Sequence, residues 1–524
     1  MLVAGFYYTS NTKSNSISLL AITENEEGNI QEGSLIKLNL EIRPGSGKTY
    51  VNLGTLNEID TQISVVNSQK IACDLFELDC NNYDFYYEFE SSAVILKGPS
   101  ASSAIAIIVA KTLNNENIDE NIVITGSLNS GGVMGNVGGI DEKINIAKQN
   151  DFNKVIIPAF SKYNQTSHTG IEVIKSIDII DAYNNFEGKD YHLETREIDD
   201  TNYNKLMKDL STKMCARTQE IKQNVNLENI SSNSTLNQYL TTAQKSTNSS
   251  KLANSQENYY SQGSFCYNAN INYRLMLENQ RNLSIEQREE EINNLEKIIN
   301  RKYAQINSKE YKNKIQTIND FYVYLIINDR LEEAREFIKE SKKLKSNNDI
   351  TSNISTNISQ TNTTINQTQE NQTTLDNIEN KKANLYAYAI ERYYTVTLWE
   401  ELIEHTGKEI QLSEENIKDA CTKINKEISI KSELLKNYGI NLFNEELKKQ
   451  NSYLSRYSNK YLCIYNGLEL KGRMNTILNS VGINEENKKE YTQKILSIAQ
   501  NRLASSENNQ FPLIPFIYTE YSSD

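Results

Sequence analysis

This 524-residue chain contains only five Pro, three His and one Trp. With so few His, and with six Cys that include no Cys-x-x-Cys pair, the sequence lacks the usual ligands of a structural zinc site. Long apolar runs are missing too: the longest, 104–110, falls far short of the roughly 18 residues that a membrane-spanning helix needs. We therefore expect no bound metal or cofactor, and membrane association only through anchors missing from this chain. The six Cys leave disulfides and buried thiols equally open.

An excess of positive charge is also absent, since the formal net charge is −13 and acidic and basic residues are well mixed. A nucleic-acid-binding surface needs a basic face that neutralises phosphates, so the composition predicts no nucleic-acid partner. A short basic cluster, Lys342, Lys343 and Lys345, is typical of a solvated helix end.

The pattern of residue types changes along the chain. Residues 1–195 combine β-branched runs, Gly-bounded turns and two helical patterns, which predicts an α+β domain. The helical patterns cover 100–113, which is nearly all apolar and so buried, and 140–149. Strands are predicted at 17–23, 34–42, 49–53, 93–97, 122–128 and 154–157.

The remainder of the chain is predicted to be mostly α-helical. Charged amphipathic patterns with almost no Gly or Pro indicate helical regions at 196–345 and 379–506, followed by a tail at 507–524. Between them, 346–378 is a low-complexity run of Asn, Thr, Ser, Ile and Gln. Such a run cannot bury enough apolar surface to offset its ordering entropy, so it predicts a flexible linker.

The first segment with chemical character is the turn before the predicted buried helix. Ser100 follows Gly98 and Pro99 there, where free backbone N–H groups and the helix dipole can stabilise an oxyanion. The small neighbour Ala101 leaves room for a substrate carbonyl group. Taken alone, Ser100 is better explained as a plain helix N-cap after a Gly-Pro turn.

Two further segments supply residues that suit a nucleophilic serine. Lys143 is expected one turn into the helix at 140–149, where burial would lower its pKa and let the neutral amine take the Ser100 proton. Thr125, at the end of a strand, is placed to orient that amine. The simpler alternatives are an exposed lysine paired with Glu142 or Asp141, and an ordinary strand threonine.

Together these segments resemble the proteolytic domain of Lon-type serine peptidases, over roughly residues 15–187. The family's G-P-S-A-G nucleophile loop is matched by 98–102, with Ser102 in place of the last Gly. Its T-G-S segment is matched by 125–127, and its G-G-x-x-E-K, which ends in the catalytic Lys, by 138–143. The spacings also agree, and 154–158 and 171–186 are similar to the closing strand and helix of that domain. The resemblance implies catalytic roles for Ser100 and Lys143, with Thr125 in support and Gly98, Pro99 and Ala101 forming the oxyanion loop.

The chain is most similar to archaeal Lon-like predicted serine proteases that lack an ATPase domain. They share an early Pro-Gly-Ser-Gly turn, here at 44–47, and Asp60-Thr61-Gln62 is also in keeping with them. Such proteins tend to be exported and to carry a long helical C-terminal region, which implies an extracytoplasmic or cell-surface location, with the cytoplasm as the alternative. Asn-x-Ser/Thr sequons in 346–378 add little, because an Asn-rich run produces them by chance.

Two departures from the family pattern bear on function. Lys97 stands where Lon enzymes often have an acidic residue, which changes the electrostatics beside the nucleophile. No ATPase motor is recognised: 45–49 reads Gly-Ser-Gly-Lys-Thr, but the first Gly of a Walker motif would fall at Ile42.

A small-molecule kinase of related topology is disfavoured because the loop at 97–103 is poor in Gly. A Ser-His-Asp hydrolase is disfavoured because no His lies near Ser100 and no G-x-S-x-G occurs.

The resulting prediction is an ATP-independent, Lon-like serine endopeptidase. Its expected partners are peptides or unfolded proteins, which are its substrates, and other copies of the chain in a ring. The alternative is a catalytically silent Lon-like domain that binds peptides or acts as a scaffold.

Overall fold

A computed structural model gives the fold of most of the chain, in two compact units. The first unit comprises 1–195, 426–446 and 469–505, and the second comprises 196–425, 447–468 and 506–524. The residues that the structure describes are 12–24, 30–52, 59–90, 99–187, 191, 200–227, 230, 234–281, 283–344, 364–403, 409–437, 439–455, 460–481 and 483–505.

A seven-stranded mixed sheet forms the centre of the first unit. Its strand order is β3-β4-β2-β1-β5-β8-β9, with a separate two-stranded sheet of β6 and β7. The strands β1, β2 and β4 pair antiparallel, whereas β1, β5, β8 and β9 run parallel, as do β3 and β4. The strands are β1 Lys13–Glu24, β2 Ile30–Pro44, β3 Thr49–Asn52, β4 Tyr83–Glu90, β5 Ile122–Ile124, β6 Ser127–Leu128, β7 Met134–Gly135, β8 Lys154–Pro158 and β9 Glu172–Ser176.

Helices cover both faces of the central strands. Every residue of α2 is buried, because this helix lies inside the main core between the sheet and its helical neighbours. On β5, Ile122 and Ile124 belong to the core that contains α2, while Val123 belongs to a second core that contains α3. Burial on both faces explains the continuous apolar run of this parallel strand. The helices are α1 Ile59–Leu75, α2 Ser102–Leu113, α3 Ile140–Gln149 and α4 Ile179–Glu187.

The predicted fold class is confirmed: an α+β domain is followed by a largely helical region. The strand predicted at 122–128 is interrupted, since the chain leaves the main sheet after Ile124 and re-forms as β6 in the small sheet. The strand predicted at 93–97 lies outside the described residues. The helix α1 and the strand β4 were not predicted.

The second unit is built of long helices. A large apolar cluster runs through them, and Glu391, almost fully buried, accepts hydrogen bonds from the guanidinium groups of Arg217 and Arg274. The helices are α5 Thr201–Gln223, α6 Ser234–Ser255, α7 Tyr259–Gln280, α8 Ile285–Ile306, α9 Lys309–Lys312, α10 Ile318–Lys343, α11 Thr364–Glu400, α12 Glu414–Asn437, α13 Asn444–Ser455, α14 Lys460–Ser480 and α15 Lys488–Ser505. Of these, α15 and parts of α12, α13 and α14 belong to the first unit.

Two domain boundaries differ from the sequence-based expectation. The segment 346–378 was expected to be a linker throughout, but α11 begins at Thr364 and continues into a packed helix. The region 379–506 was expected to be one helical block, but 426–446 and 469–505 belong to the unit that contains the α+β domain. There, Glu427 accepts hydrogen bonds from Lys70 and Lys471, and the Tyr491 ring lies edge-on to the Phe160 ring.

All six Cys are paired, which decides a question that the sequence left open. Cys73–Cys80 closes a short loop after α1 in the first unit. In the second unit, Cys215–Cys266 joins α5 to α7, and Cys421–Cys463 joins α12 to α14. Within the described part of the chain, no helix is long and apolar enough to cross a membrane.

Candidate active site

Ser100 lies in a single 3-10 turn, Pro99–Ala101, that leads directly into α2. The residue is partly exposed, whereas the next three residues are buried. The first N–H groups of a helix have no intrahelical acceptor, so this turn presents backbone donors beside a reachable hydroxyl group. Lys97 and Gly98, which the sequence analysis placed next to the nucleophile, lie outside the described residues.

The end of β5 is fastened to this turn by backbone hydrogen bonds. Thr125 continues the sheet, with its N–H donating to Ile156 O at 3.0 Å, and the Gly126 N–H donates to Ser100 O at 3.0 Å. In return, Gly126 O accepts from the N–H and the hydroxyl of Ser103, at 3.2 and 2.9 Å. The turn that contains Ser100 and the end of β5 therefore hold each other in one position.

Gly126 allows this close approach because it has no side chain. A Cβ atom at this position would lie 2.8 Å from Ser103 Oγ and 2.9 Å from Met134 Cε. Both distances are shorter than real Cβ contacts, so a larger residue would require the side chains of Ser103 and Met134 to move.

Lys143 reaches the site from the first turn of α3. The helix starts after Gly139, whose φ of 64° is left-handed, and the Lys143 N–H donates to Gly139 O at 2.9 Å. A Cβ at Gly139 would lie 2.7 Å from Ile22 Cγ2, so glycine also permits the helix to approach β1. The Lys143 residue is 1% exposed.

Burial lowers the pKa of Lys143 from 10.5 to about 8. Desolvation disfavours the charged ammonium form, and in the part of the chain that the structure describes no carboxylate pairs with this amine to offset it. The simpler alternative, an exposed lysine paired with a neighbouring acid, does not describe this residue. With a pKa of about 8, about a tenth of the amine is neutral at pH 7, and the neutral form is the one that can accept a proton.

The three polar residues are linked through Thr125. Lys143 Nζ donates to Thr125 Oγ1 at 3.3 Å, and that hydroxyl donates to Ser100 O at 3.3 Å. Among the described contacts, Lys143 makes no hydrogen bond to the Ser100 hydroxyl. Catalytic hydrogen bonds often form only when substrate binds, so this arrangement is compatible with a resting site.

Two residues beside the site were missed by the sequence analysis. Ser103 holds Gly126, and His168 contacts Asp141, two residues before Lys143. No local signal points to either contact, because each joins segments more than twenty residues apart, and pairing of that kind depends on the fold.

The Gly-Ser-Gly-Lys-Thr segment is a tight turn between β2 and β3. The N–H groups of Ser46 and Lys48 donate to Asp84 Oδ1 at 2.8 and 2.9 Å, and these bonds lower the pKa of Asp84. In a P-loop such N–H groups bind phosphate, whereas here a carboxylate of the same protein occupies them. Among the described residues, no cluster of His, Cys, Asp and Glu is arranged to hold a metal ion.

A family model matches the part of the chain that contains these residues. Residues 31–182 match the Lon protease (S16) C-terminal proteolytic domain. The archaeal Lon protease of Methanocaldococcus jannaschii is 32% identical over 118 residues, 22% of this chain and 18% of that protein. The archaeal Lon protease of Thermoplasma acidophilum is 30% identical over 129 residues, 24% of this chain and 20% of that protein. The Lon protease of Paraburkholderia phytofirmans is 27% identical over 132 residues, 24% of this chain and 16% of that protein.

The similarity is confined to one domain. The chain spans only about a fifth of the length of these curated relatives. The resemblance drawn from the sequence is thus confirmed for the proteolytic domain.

Proposed function

Because residues 31–182 form a Lon-type proteolytic domain, we propose that this chain is a serine endopeptidase with Ser100 as nucleophile and Lys143 as general base. The observation that carries the proposal is the buried Lys143 amine, held on Thr125 beside the Ser100 turn. A lysine buried without a carboxylate partner is costly to the fold, and strongly perturbed groups of this kind concentrate at functional sites.

The proposed reaction is acyl transfer in two stages. Ser100 Oγ attacks the scissile carbonyl carbon while the neutral Lys143 amine accepts the hydroxyl proton. The C–N bond then breaks, and the Lys143 ammonium gives that proton to the leaving amine. A water molecule attacks the resulting ester while Lys143 again accepts a proton. The C–O bond to Ser100 then breaks, and the Lys143 ammonium returns the proton to Ser100 Oγ as the acid leaves.

Backbone groups at the start of α2 would stabilise the oxyanion in both stages. The Ser103 N–H is already bonded to Gly126 O, so the donors would come from the N–H groups at or next to Ser100. Thr125 would keep the amine in place through the cycle.

We propose that cleavage needs no ATP and that substrates are peptides or unstructured proteins. In support, the only Walker-like segment recognised in the sequence is a turn whose N–H groups are bonded to Asp84. Cleavage of a folded protein usually requires an unfolding motor, whereas an extended chain can enter a site unaided.

Three disulfides support an extracytoplasmic location for the chain. Structural disulfides persist in oxidising compartments and are rare in reducing ones, intracellular proteins of hyperthermophiles excepted. Alkylation of the freshly isolated natural protein under denaturing, non-reducing conditions tests this proposal by mass spectrometry. If all six Cys are disulfide-bonded and resist alkylation, the result supports the oxidising location. If all six are alkylated, the result contradicts it.

The peptidase proposal is tested with an unstructured protein such as casein, in the absence of nucleotide. Wild type, Ser100→Ala and Lys143→Ala are compared after circular dichroism has shown that all are folded. Cleavage by wild type alone supports the proposal. No cleavage by folded wild type contradicts the proposal and favours the silent peptide-binding alternative. Equal cleavage by all three contradicts the roles of Ser100 and Lys143.

A further inference from the structure

The first turn of α3 is held from outside the helix. Asp141 Oδ1 lies 2.6 Å from His168 Nε2 and accepts the Asn164 N–H at 2.8 Å. The residue that precedes the helix, Gly139, has no side chain, so the turn has no side-chain cap of its own. These two contacts therefore attach the turn to the loop between β8 and β9.

The contacts of Asp141 indicate that its carboxyl is ionised and that His168 carries a hydrogen on Nε2. Partial burial opposes ionisation of Asp141, but the bonds from Asn164 and His168 outweigh it and lower its pKa. An ionised carboxylate only accepts hydrogen bonds, so His168 Nε2 carries the hydrogen and donates it.

Burying the His168 imidazole costs more free energy than burying an apolar ring of similar size would cost. Its side chain is 1% exposed, and Nδ1 is buried with no hydrogen-bond partner among the described residues. An apolar ring of similar size would fill the space without an unsatisfied nitrogen. The contact that histidine supplies here and an apolar ring would not is the Nε2 bond to Asp141.

That contact bears on Lys143 because both residues share one helical turn. Asp141 lies two positions before Lys143, and the Lys143 N–H closes the same turn on Gly139 O. A shift of this turn would carry the amine away from Thr125 and toward water.

We propose that His168 and Asp141 are a positioning pair that fixes the first turn of α3 and so holds the Lys143 amine at the Ser100 site. The consequence for catalysis rests on the proposed peptidase function, whereas the consequence for the helix does not.

Four proteins test the pair: wild type, His168→Phe, His168→Gln and Tyr183→Phe. Phe fills the space without a donor, and Gln keeps an N–H near the position of Nε2. Tyr183→Phe is the matched control, because it removes a hydrogen bond to Glu116 from α4 in the same unit without contacting α3.

Two readouts separate positioning from general stability. The first is hydrogen exchange of the peptide that contains α3. The second is the midpoint of the rise of peptidase activity with pH. In His168→Phe we expect faster exchange of α3, a midpoint raised by about one pH unit, and about tenfold lower activity below the midpoint, because the amine becomes more solvated. His168→Gln should restore both readouts, and Tyr183→Phe should change neither.

The pair has no positioning role if His168→Phe leaves exchange and midpoint as in wild type, or if Tyr183→Phe shifts them equally. If wild type is inactive at every pH, the peptidase proposal fails, and hydrogen exchange alone still decides whether the pair fixes α3.

Discussion

The Lys143 amine lies 3.3 Å from the Thr125 hydroxyl, in a region where Lys143 is almost completely shielded from water. The hydroxyl uses its own hydrogen on Ser100 O, which leaves its lone pairs free for Lys143. Thr125 thus joins the Lys143 amine to the turn that contains Ser100 and fixes the direction of both hydrogen bonds.

Replacing Thr125 tests this link with little change of shape. Thr125→Val removes the hydroxyl, and we expect kcat to fall by about tenfold to a hundredfold because the amine loses its only acceptor among the described contacts. Thr125→Ser should recover most of the activity. The measurement is kcat and KM on a fluorogenic peptide, and a changed KM with an unchanged kcat would contradict the orienting role.

The buried Lys143 amine should lower the free energy of unfolding at neutral pH. A pKa lowered from 10.5 to about 8 means that the unfolded chain binds more protons between these values, so stability rises with pH across that window. Below pH 8 the cost reaches its full value, about 3 kcal/mol.

The variant Lys143→Met tests that cost directly. We expect it to be more stable than wild type by up to about 3 kcal/mol near neutral pH, with the difference shrinking as pH approaches 10.5. Urea unfolding at several pH values measures it. A difference that stays constant across the window would show that Lys143 is not desolvated.

Gly126 should not tolerate a methyl group. In Gly126→Ala the new Cβ meets Ser103 Oγ and Met134 Cε, so we expect a loss of about 1–3 kcal/mol and a displaced nucleophile turn. Ser103→Ala removes one of the two clashing atoms. The double variant should therefore lose less stability than the sum of the single variants, as a thermodynamic cycle can measure. Strict additivity would contradict the packing described here.

Glu427 should stabilise the first unit in a pH-dependent way. Burial opposes its ionisation, but the hydrogen bonds from Lys471 and Lys70 outweigh that and lower its pKa. The stabilisation is therefore present above its ordinary pKa of 4.5 and is lost as pH falls through the lower, folded value.

The variant Glu427→Gln should lose about 1 kcal/mol at neutral pH and nothing once the carboxyl of the folded protein is protonated. Glu485→Gln is the control, since it makes the same charge change at a side chain that is 88% exposed. Equal losses in both variants would show that 426–446 does not depend on this contact.

The sequence predicted those parts of the site that depend on short segments. Ser100, Thr125 and Lys143 each lie in a motif of three to six residues, and turn chemistry with burial pattern locates such motifs on strands and helices. The structure brings all three together, although it links the amine to Thr125 rather than to the Ser100 hydroxyl.

The elements and contacts that were not predicted differ in their physical cause. In α1 the β-branched Ile63, Val65 and Val66 favour strand locally, and packing against the core overrides that preference. The contacts of His168 and of Glu427 depend on pairing between distant segments, which a single sequence does not encode locally. The strand β4 is different, because alternation of buried Phe85, Tyr87 and Phe89 with polar or exposed residues was a readable signal.

Covalent trapping tests whether Ser100 is a nucleophile that Lys143 activates. Wild type and Lys143→Met are incubated with a serine-reactive fluorophosphonate at several pH values, and adducts are located by peptide mass spectrometry. We expect one adduct, on Ser100 and not on Ser102 or Ser103. It should form at a rate that rises through about pH 8 in wild type and is nearly abolished in Lys143→Met. No adduct on folded wild type, or one formed equally fast without the Lys143 amine, would contradict it.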